Sequence, residues 1–380
     1  MVEKGSSKHF FSEPAVAPLG LITLEGAAEL GEKIHKHLTN WANASNSSQK
    51  HFAVGIECPR FSSGDGKGMI KSSIRGDDLF IIVDVGNYSC TYNMFGEQNR
   101  MSPDDHFQDL KRIIQATSGK AHRISVIIPM LYGSRQHRRN YRESLDCAVA
   151  LQELQNMGVV NIITFDTHDP RVQNAVPFMG FDNVMPTYQV LKCLVSNIPD
   201  LNIHRDNFMV ISPDEGAMHR NMYYASVLGI NLGMFYKRRD YSRIVNGRNP
   251  IVAHEYLGES VVGKDIFIAD DIISSGESML DIAYALKKKN AKRIFAYATY
   301  GIFTNGFDEF DKAYNDGIID GIFSSNLTYI SDELKSKKWY YEVDCSKYVA
   351  YFIAAINRDM SISSIVDPHK KIKNLLSEHS

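Results

Sequence analysis

Two acids, Asp270 and Asp271, stand side by side at the end of the apolar run DIFIA. The small residues Ser274, Ser275, Gly276 and Ser278 follow before the chain turns apolar again at helical spacing. Adjacent carboxylates repel one another and cannot hold an anion; they suit hydroxyl donors or a metal-held sugar. Hydroxyls and backbone amides at the start of a helix do the opposite job, because the unpaired N–H groups and the dipole there attract phosphate. In open α/β sheets such a loop opens where ligands sit, beyond the carboxyl ends of the strands. A sugar phosphate satisfies both halves, the acids on its hydroxyls and the loop on its phosphate. A strand-ending acid pair with an ordinary Ser-rich helix cap fits the same residue types.

Other charged groups also fall at strand ends. His168 follows the apolar run Val160 to Phe165, and Asp214 follows Phe208 to Ser212. Hard divalent cations prefer oxygen ligands, so chemistry alone favours a structural role for His168. Lys237, Arg238 and Arg239 come just after a strand and before the polar loop DYSRIVNGRNP; a charge run of this kind usually marks a solvated face. Arg135 and Gln136 lie beyond the run Arg123 to Pro129, and Phe61 opens FSSGDG. By residue type alone, Arg135 reads as a surface cation and Phe61 as a core aromatic.

The elements that must position these residues are legible as short, continuous apolar runs: Leu79 to Val85, Arg123 to Pro129, Val160 to Phe165, Phe208 to Ser212, Asp265 to Ala269 and Arg293 to Ala298. Continuous rather than alternating runs predict strands buried on both faces. Helical spacing recurs at Leu24 to Trp41, Arg142 to Met157, Glu277 to Lys289 and Lys347 to Asn357. Alternating strands and helices predict an α/β fold with parallel sheets. A chain of 380 residues exceeds the roughly 250–300 at which one core stops growing, which predicts two domains. The boundary is placed near Pro186, after the turn-rich GFDNVMPTY. This gives a domain over 17–186, completed by a C-terminal helix in 345–370, and a second over 187–344.

A formal net charge of −2 supplies no global field for nucleic acid or anionic lipid, so a small partner is expected. No apolar run reaches the roughly 20 residues needed to span a bilayer, and the N-terminus lacks a signal-peptide core. Five widely spaced cysteines without a CxxC pair read as thiols in a reducing compartment. These features point to a cytoplasmic protein with neither nucleic-acid nor membrane partners. Gly64, Gly66 and Gly68 do not form GxGxxG, and no GxxxxGK[ST] occurs, so a nucleotide would bind without a Rossmann fingerprint or a P-loop.

The segment VVGKDIFIADDIISSGES, Val261 to Ser278, resembles the phosphoribosyl pyrophosphate binding motif. Five more segments resemble signatures of ribose-phosphate pyrophosphokinases, in the family's order: Phe61 to Ile82, Val126 to Arg139, Ile162 to Gln173, Val210 to Arg220 and Tyr236 to Ser242. The resemblance runs from about residue 20 to 365 and identifies a divergent branch. It implies two phosphoribosyltransferase-like domains, each a mostly parallel sheet flanked by helices. The implied reaction is transfer of the pyrophosphoryl group of ATP to the 1-hydroxyl of ribose 5-phosphate. Asp270, Asp271, Ser274, Ser275, Gly276 and Ser278 are implied as the ribose 5-phosphate site, and Phe61, Arg135 and Gln136 as ATP contacts. His168 and Asp214 are implied to surround Mg²⁺, with Lys237 and Arg239 as catalytic cations on a mobile loop. The family's adenine loop is shared between subunits, which implies a dimer-based homo-oligomer, with a hexamer as one form.

The sequence also departs from the family. Ser63 and Asp65 alter the adenine loop, His137 stands where an Asp is usual, and Tyr300 where a His is usual. Glu277 replaces a small residue beside the phosphate loop and is expected to point away from it. The stretch from Asn87 to Lys120 is longer than typical. A non-catalytic regulatory homologue and a nucleobase phosphoribosyltransferase are the alternatives. The intact cations and acids argue against the first and the duplicated α/β pattern against the second.

Overall fold

A computed structural model describes residues 11–139, 141–239 and 251–378. The chain divides into two units. Unit 1 comprises Met1–Pro186, Asn326–Tyr329 and Asp344–Asp367; unit 2 comprises Thr187–Ser325, Ile330–Val343 and Pro368–Ser380.

Unit 1 is built on β1 (Leu19–Thr23), β4 (Asp78–Ile82), β7 (Arg123–Ile127), β8 (Val159–Phe165) and β9 (Gly180–Val184), in the sheet order β1-β4-β7-β8-β9 with every pairing parallel. All five residues of β4 are buried, because helices cover both faces of the sheet and leave no solvent side to alternate with. Helix α1 (Ala28–Ala44) buries Leu30, Ile34, Leu38 and Trp41, and the Trp41 ring stacks on Tyr351 at 4.7 Å, tying α1 to helix Ser346–Ile356. Helix α2 (Pro103–Ala116) starts on a capping box between Ser102 and Asp105 with Pro at its first position, and α3 (Asp146–Asn156) packs Leu151 and Leu154 into the same core. Two short strands, β2 (Ile56–Glu57) and β3 (Met69–Ile70), pair across the loop that carries Phe61. The longer stretch after Asn87 contains a hairpin, β5 (Thr91–Met94) and β6 (Glu97–Arg100). Its two turn residues, Phe95 and Gly96, both have positive φ, as a tight primed turn requires.

Among the described residues, unit 2 is built on a sheet of seven strands in the order β12-β11-β10-β13-β14-β15-β16: β10 (Phe208–Ser212), β11 (Leu232–Arg239), β12 (Ile251–Leu257), β13 (Asp265–Ile273), β14 (Arg293–Gly301), β15 (Gly321–Ser325) and β16 (Tyr340–Val343). All pairs are parallel except β11 with β12, where a hairpin adds an antiparallel edge. Helices α4 (Thr187–Asn197), α5 (Met218–Leu228), α6 (Glu277–Lys288) and α7 (Asp308–Asn315) flank it. Two mostly parallel α/β units are therefore present, as expected from the sequence.

The same device locks both sheets at their lower ends. In unit 1 the buried Asp78 at the start of β4 takes two hydrogen bonds from Arg123, its in-register partner on β7, and Arg123 also reaches Asp359. In unit 2 the buried Asp265 at the start of β13 takes two from Arg293, its in-register partner on β14, which also reaches Asp200. A bidentate carboxylate–guanidinium pair fixes register, and removing one partner leaves an uncompensated buried charge.

Several expected boundaries shift. The helix expected from Leu24 begins as a 3₁₀ turn and becomes α-helical only at Ala28, and the one expected from Arg142 begins at Asp146. The segment 345–370 is not one helix: Ser346–Ile356 and Ser363–Val366 belong to unit 1, while His369–Glu378 belongs to unit 2. Unit 1 also takes in residues 326–329. Asp84, just beyond β4, accepts hydrogen bonds from the Thr328 hydroxyl and the Tyr329 and Gly86 amides, while burial pushes its carboxyl up to about 7. All five cysteines are free thiols, and among the described residues no helix is long and apolar enough to cross a membrane.

Candidate functional site

Beyond the carboxyl ends of β10 and β13, unit 2 holds a cavity of about 160 Å³ lined by Pro213, Asp214, Asp270, Ile272, Ile273, Ser274, Ser275, Gly276, Ser278 and Met279. Six of the residues expected to act together are thus gathered at one place: Asp214, Asp270 and the small-residue loop. Its lining combines two carboxylates, Asp214 and Asp270, with the N-terminus of α6.

The loop is held from behind. The Ile273 carbonyl accepts from the Ile302 amide and the Ser274 carbonyl from the Thr304 amide, both at 2.9 Å. Gly276 caps α6 with φ +87° and has no side chain to bond the first-turn amides, and the Glu277 amide makes only a long 3.5 Å contact to the Ser275 hydroxyl, which leaves the helix start able to take an anion. A Cβ on Gly276 would lie 2.3 Å from the Phe310 ring. Gly276→Ala therefore meets both a left-handed backbone cost of about 1–2 kcal/mol and a wall. It is expected to lower the Tm by at least about 2–4 °C and to abolish inorganic phosphate binding at the loop, read by calorimetry. Glu277 is exposed and does not line the cavity.

The two acids behave differently. Asp270 lines the cavity, whereas Asp271 is 8% exposed and does not. The Asp271 amide donates to Asp270 Oδ1 at 2.8 Å, which sets the first carboxylate against the second residue's backbone. Desolvation, and then the Asp271 charge, raise the Asp270 carboxyl well above the ordinary carboxylate range; the Arg220 guanidinium, with Nη1 3.5 Å from Oδ1, pulls the other way. Charge held at such cost favours a ligand that returns hydrogen bonds or a positive charge to the carboxylate. Mg²⁺ fits on that ground, being held by one or two carboxylates together with substrate phosphates. Among the described residues, no group of three or more His, Cys, Asp or Glu forms a metal cage.

Asp214 is fixed by its own loop: Oδ1 accepts from the Ala217 amide at 3.1 Å, and its carbonyl accepts from the Ser212 hydroxyl at 2.8 Å. Lys237 and Arg239 were expected on a loop past the strand. The structure instead carries β11 through Arg239, with Lys237 opposite His254 and Arg239 opposite Ile251, and the register shifts between Arg238 and Arg239. The stretch Asp240 to Pro250 lies outside the described residues.

In unit 1, Arg135 and Gln136 are exposed on a turn after β7, closed by Gln136 N–H to Gly133 O at 2.8 Å. His137 joins His168, with ring centroids 5.4 Å apart, and its Nε2 lies 3.5 Å from Asp169, whose pKa falls to about 2 through its hydrogen bonds from Arg171. Phe61 is 60% exposed, so it is not a core residue. Its loop is braced rather than loose. Phe61 N–H bonds Asp65 O, the Phe95 amide of the hairpin bonds Ser62 O at 2.8 Å, and Arg60 pairs doubly with Asp109 under the Tyr92 ring. Tyr300 is buried in β14.

Arg220 and Asn221 meet the Asp270 strand from α5; Arg220 closes the segment Val210 to Arg220 but carries no role in the sequence reading, and Asn221 falls just outside that segment. They lie some 50 positions away from Asp270, and no local spacing marks them.

Residues 19–158 match the model of the N-terminal domain of ribose phosphate pyrophosphokinase, and residues 183–316 match that of a phosphoribosyl transferase domain. A ribose-phosphate pyrophosphokinase of Vibrio parahaemolyticus is 29% identical over 312 residues, covering 80% of this chain and 89% of that protein. The one from Shewanella oneidensis is 28% identical over 335 residues, covering 85% and 96%. A crystal structure of phosphoribosylpyrophosphate synthetase from Mycobacterium smegmatis shares the fold, with a TM-score of 0.71 at 19% identity over 90% of this chain and 99% of that one. With both domain models matched in order across two α/β units, the chain belongs to the ribose-phosphate pyrophosphokinase family.

Proposed function

We propose that the protein transfers the pyrophosphoryl group of ATP to the 1-hydroxyl of ribose 5-phosphate, giving phosphoribosyl pyrophosphate and AMP. The observation that carries this reading is the unit 2 cavity, whose lining combines carboxylates with a helix N-terminus. A pentose monophosphate is the ligand class that suits both. Ser274, Ser275, Gly276 and Ser278 take its phosphate through hydroxyls and amides, and Asp270 takes ring hydroxyls. Asp271 supports Asp270 through its amide rather than from the cavity wall.

The 1-hydroxyl oxygen attacks the β-phosphorus of ATP in line; the bond from that phosphorus to the oxygen bridging to the α-phosphate breaks, and AMP leaves. Such a transfer depends on positioning and charge neutralisation more than on covalent help. Phe61, Arg135 and Gln136 of unit 1 would hold ATP, and Lys237 and Arg239 of unit 2 would meet the charge on the migrating group. His168 and Asp214 would stand near the phosphates, where Mg²⁺ supplies charge neutralisation when bound with ATP. No side chain is assigned as general base. A homo-oligomer sharing the Phe61 loop between subunits, and a cytoplasmic setting that keeps the free thiols reduced, complete the proposal.

Incubation with ATP, ribose 5-phosphate and Mg²⁺ should release AMP and phosphoribosyl pyrophosphate in equal amounts. No AMP would favour a regulatory homologue. Consumption of phosphoribosyl pyrophosphate with a free base would favour a nucleobase phosphoribosyltransferase.

A further inference from the structure

We infer that Asn221, a fully buried residue on α5, is the positioning residue that sets the distance between the two walls of the unit 2 cavity. The inference rests on the reading of that cavity as the ribose 5-phosphate site. The parallel ladder between β10 and β13 ends at Ile211 opposite Ile268, because β10 stops at Ser212 and turns away while β13 runs on to Ile273. On that side the next residue, Ala269, has lost its strand partner just before Asp270. The Asn221 side chain replaces it. Its Oδ1 accepts from the Ala269 amide at 3.1 Å and its Nδ2 donates to the Ala269 carbonyl at 2.8 Å.

The same Nδ2 donates to the Ala217 carbonyl at 2.9 Å, at the end of the loop whose Asp214 carboxylate accepts from the Ala217 amide. A longer contact of 3.4 Å reaches the Ser212 hydroxyl, which in turn donates to the Asp214 carbonyl. One amide therefore fixes the backbone directly before the acid that lines one wall and the loop that carries the acid on the other. Asn supplies both an acceptor and two donors on a short stem, which neither an aliphatic nor a hydroxyl residue can do. Neighbouring Arg220 addresses the Asp270 carboxylate itself. Together, Asn221 holds the backbone and Arg220 the charge.

The test is Asn221→Ala, with Asn357→Ala as a control. Asn357 is a similarly buried amide that bridges Ala17 and Asp78 within unit 1, the unit that does not carry the cavity lining. Both variants should lose Tm. Only Asn221→Ala should raise the KM for ribose 5-phosphate, by about tenfold or more, since small displacements of positioned groups cost up to roughly 10²-fold; its KM for ATP should stay within about twofold. If Asn221→Ala does not fold, Ser212→Ala should move the same KM in the same direction by a smaller factor. A KM for ribose 5-phosphate within about threefold of wild type in a variant that has lost Tm like the control would overturn the inference and leave Asn221 purely structural. If the wild type releases no AMP, calorimetry with ribose 5-phosphate decides: weaker binding by the variant supports the inference, and equal binding overturns it. A wild type that binds no ribose 5-phosphate removes the reading of the cavity, and this inference with it.

Discussion

Asp270→Asn is expected to make the ligand-free protein more stable and the enzyme far slower. Desolvation and the Asp271 charge raise the Asp270 pKa, and that net direction already includes the attraction of Arg220. A raised value means the folded chain holds this proton more tightly than the unfolded chain does. The stabilising contribution is therefore fully present below the ordinary carboxylate range, near pKa 4, and is lost as pH rises through the raised value. The amide carries no charge to desolvate and can still accept from the Asp271 amide. The Tm difference between variant and wild type should be small at low pH, grow across that window and then level off. In a chain of this size about 2–4 °C corresponds to each kcal/mol. Turnover should move the other way: two hydroxyl-to-carboxylate hydrogen bonds, at about 1.5–3 kcal/mol each, amount to roughly 10²- to 10⁴-fold in kcat/KM. A melting curve of the variant below that of the wild type at neutral pH, or kcat/KM within about tenfold, would contradict the assignment.

Lys237→Ala should lower kcat by about 10²- to 10³-fold, the usual loss for one donor aimed at developing charge. The strand should survive, because β11 pairs with β12 through the backbone and Lys237 sits within that ladder opposite His254. Circular dichroism and Tm should be unchanged, and the KM for ribose 5-phosphate should move little. Arg239→Ala is expected to act in the same direction, and the double variant to cost less than the product of the two, since both cations would serve one migrating group. Steady-state turnover of Lys237→Ala within about tenfold of wild type would remove it from the reaction.

Much of the frame was legible because the strands are buried on both faces. The run Phe208 to Ser212 is a strand over those residues, and the runs at Leu79, Arg123, Val160, Asp265 and Arg293 each contain or overlap one. The gathering of Asp270 and the small-residue loop at one cavity was legible for a different reason: they are neighbours in sequence at a strand end, although an ordinary Ser-rich helix cap would use the same residue types. What escaped was set by tertiary pairing. Nothing in the spacing of Asp78 and Arg123, or of Asp265 and Arg293, announces that each pair meets across adjacent strands. His137 read as a substitution, while its approach to His168 depends on the loops after β7 and β8 converging. The strand continuing through Lys237 to Arg239 was hidden because cations on an edge hairpin look like a solvated loop until a partner strand supplies the hydrogen bonds. The hairpin at Thr91 to Arg100, mostly exposed and polar, offers no apolar pattern to read, yet its Phe95 amide braces the turn that carries Phe61.

Unit 1 is threaded twice through late parts of the chain: residues 326–329 satisfy Asp84, and Ser346–Ile356 covers α1. On the ribosome the first half therefore emerges long before the pieces that finish it. At roughly 5–20 residues per second, the stretch Thr187–Ser325 takes on the order of ten seconds to make, and during that interval the Trp41 face of α1 has no lid. Nascent chains stalled near residue 190 should thus be protease-sensitive clients of holdase chaperones, and a gene fragment ending at Pro186 should yield insoluble protein.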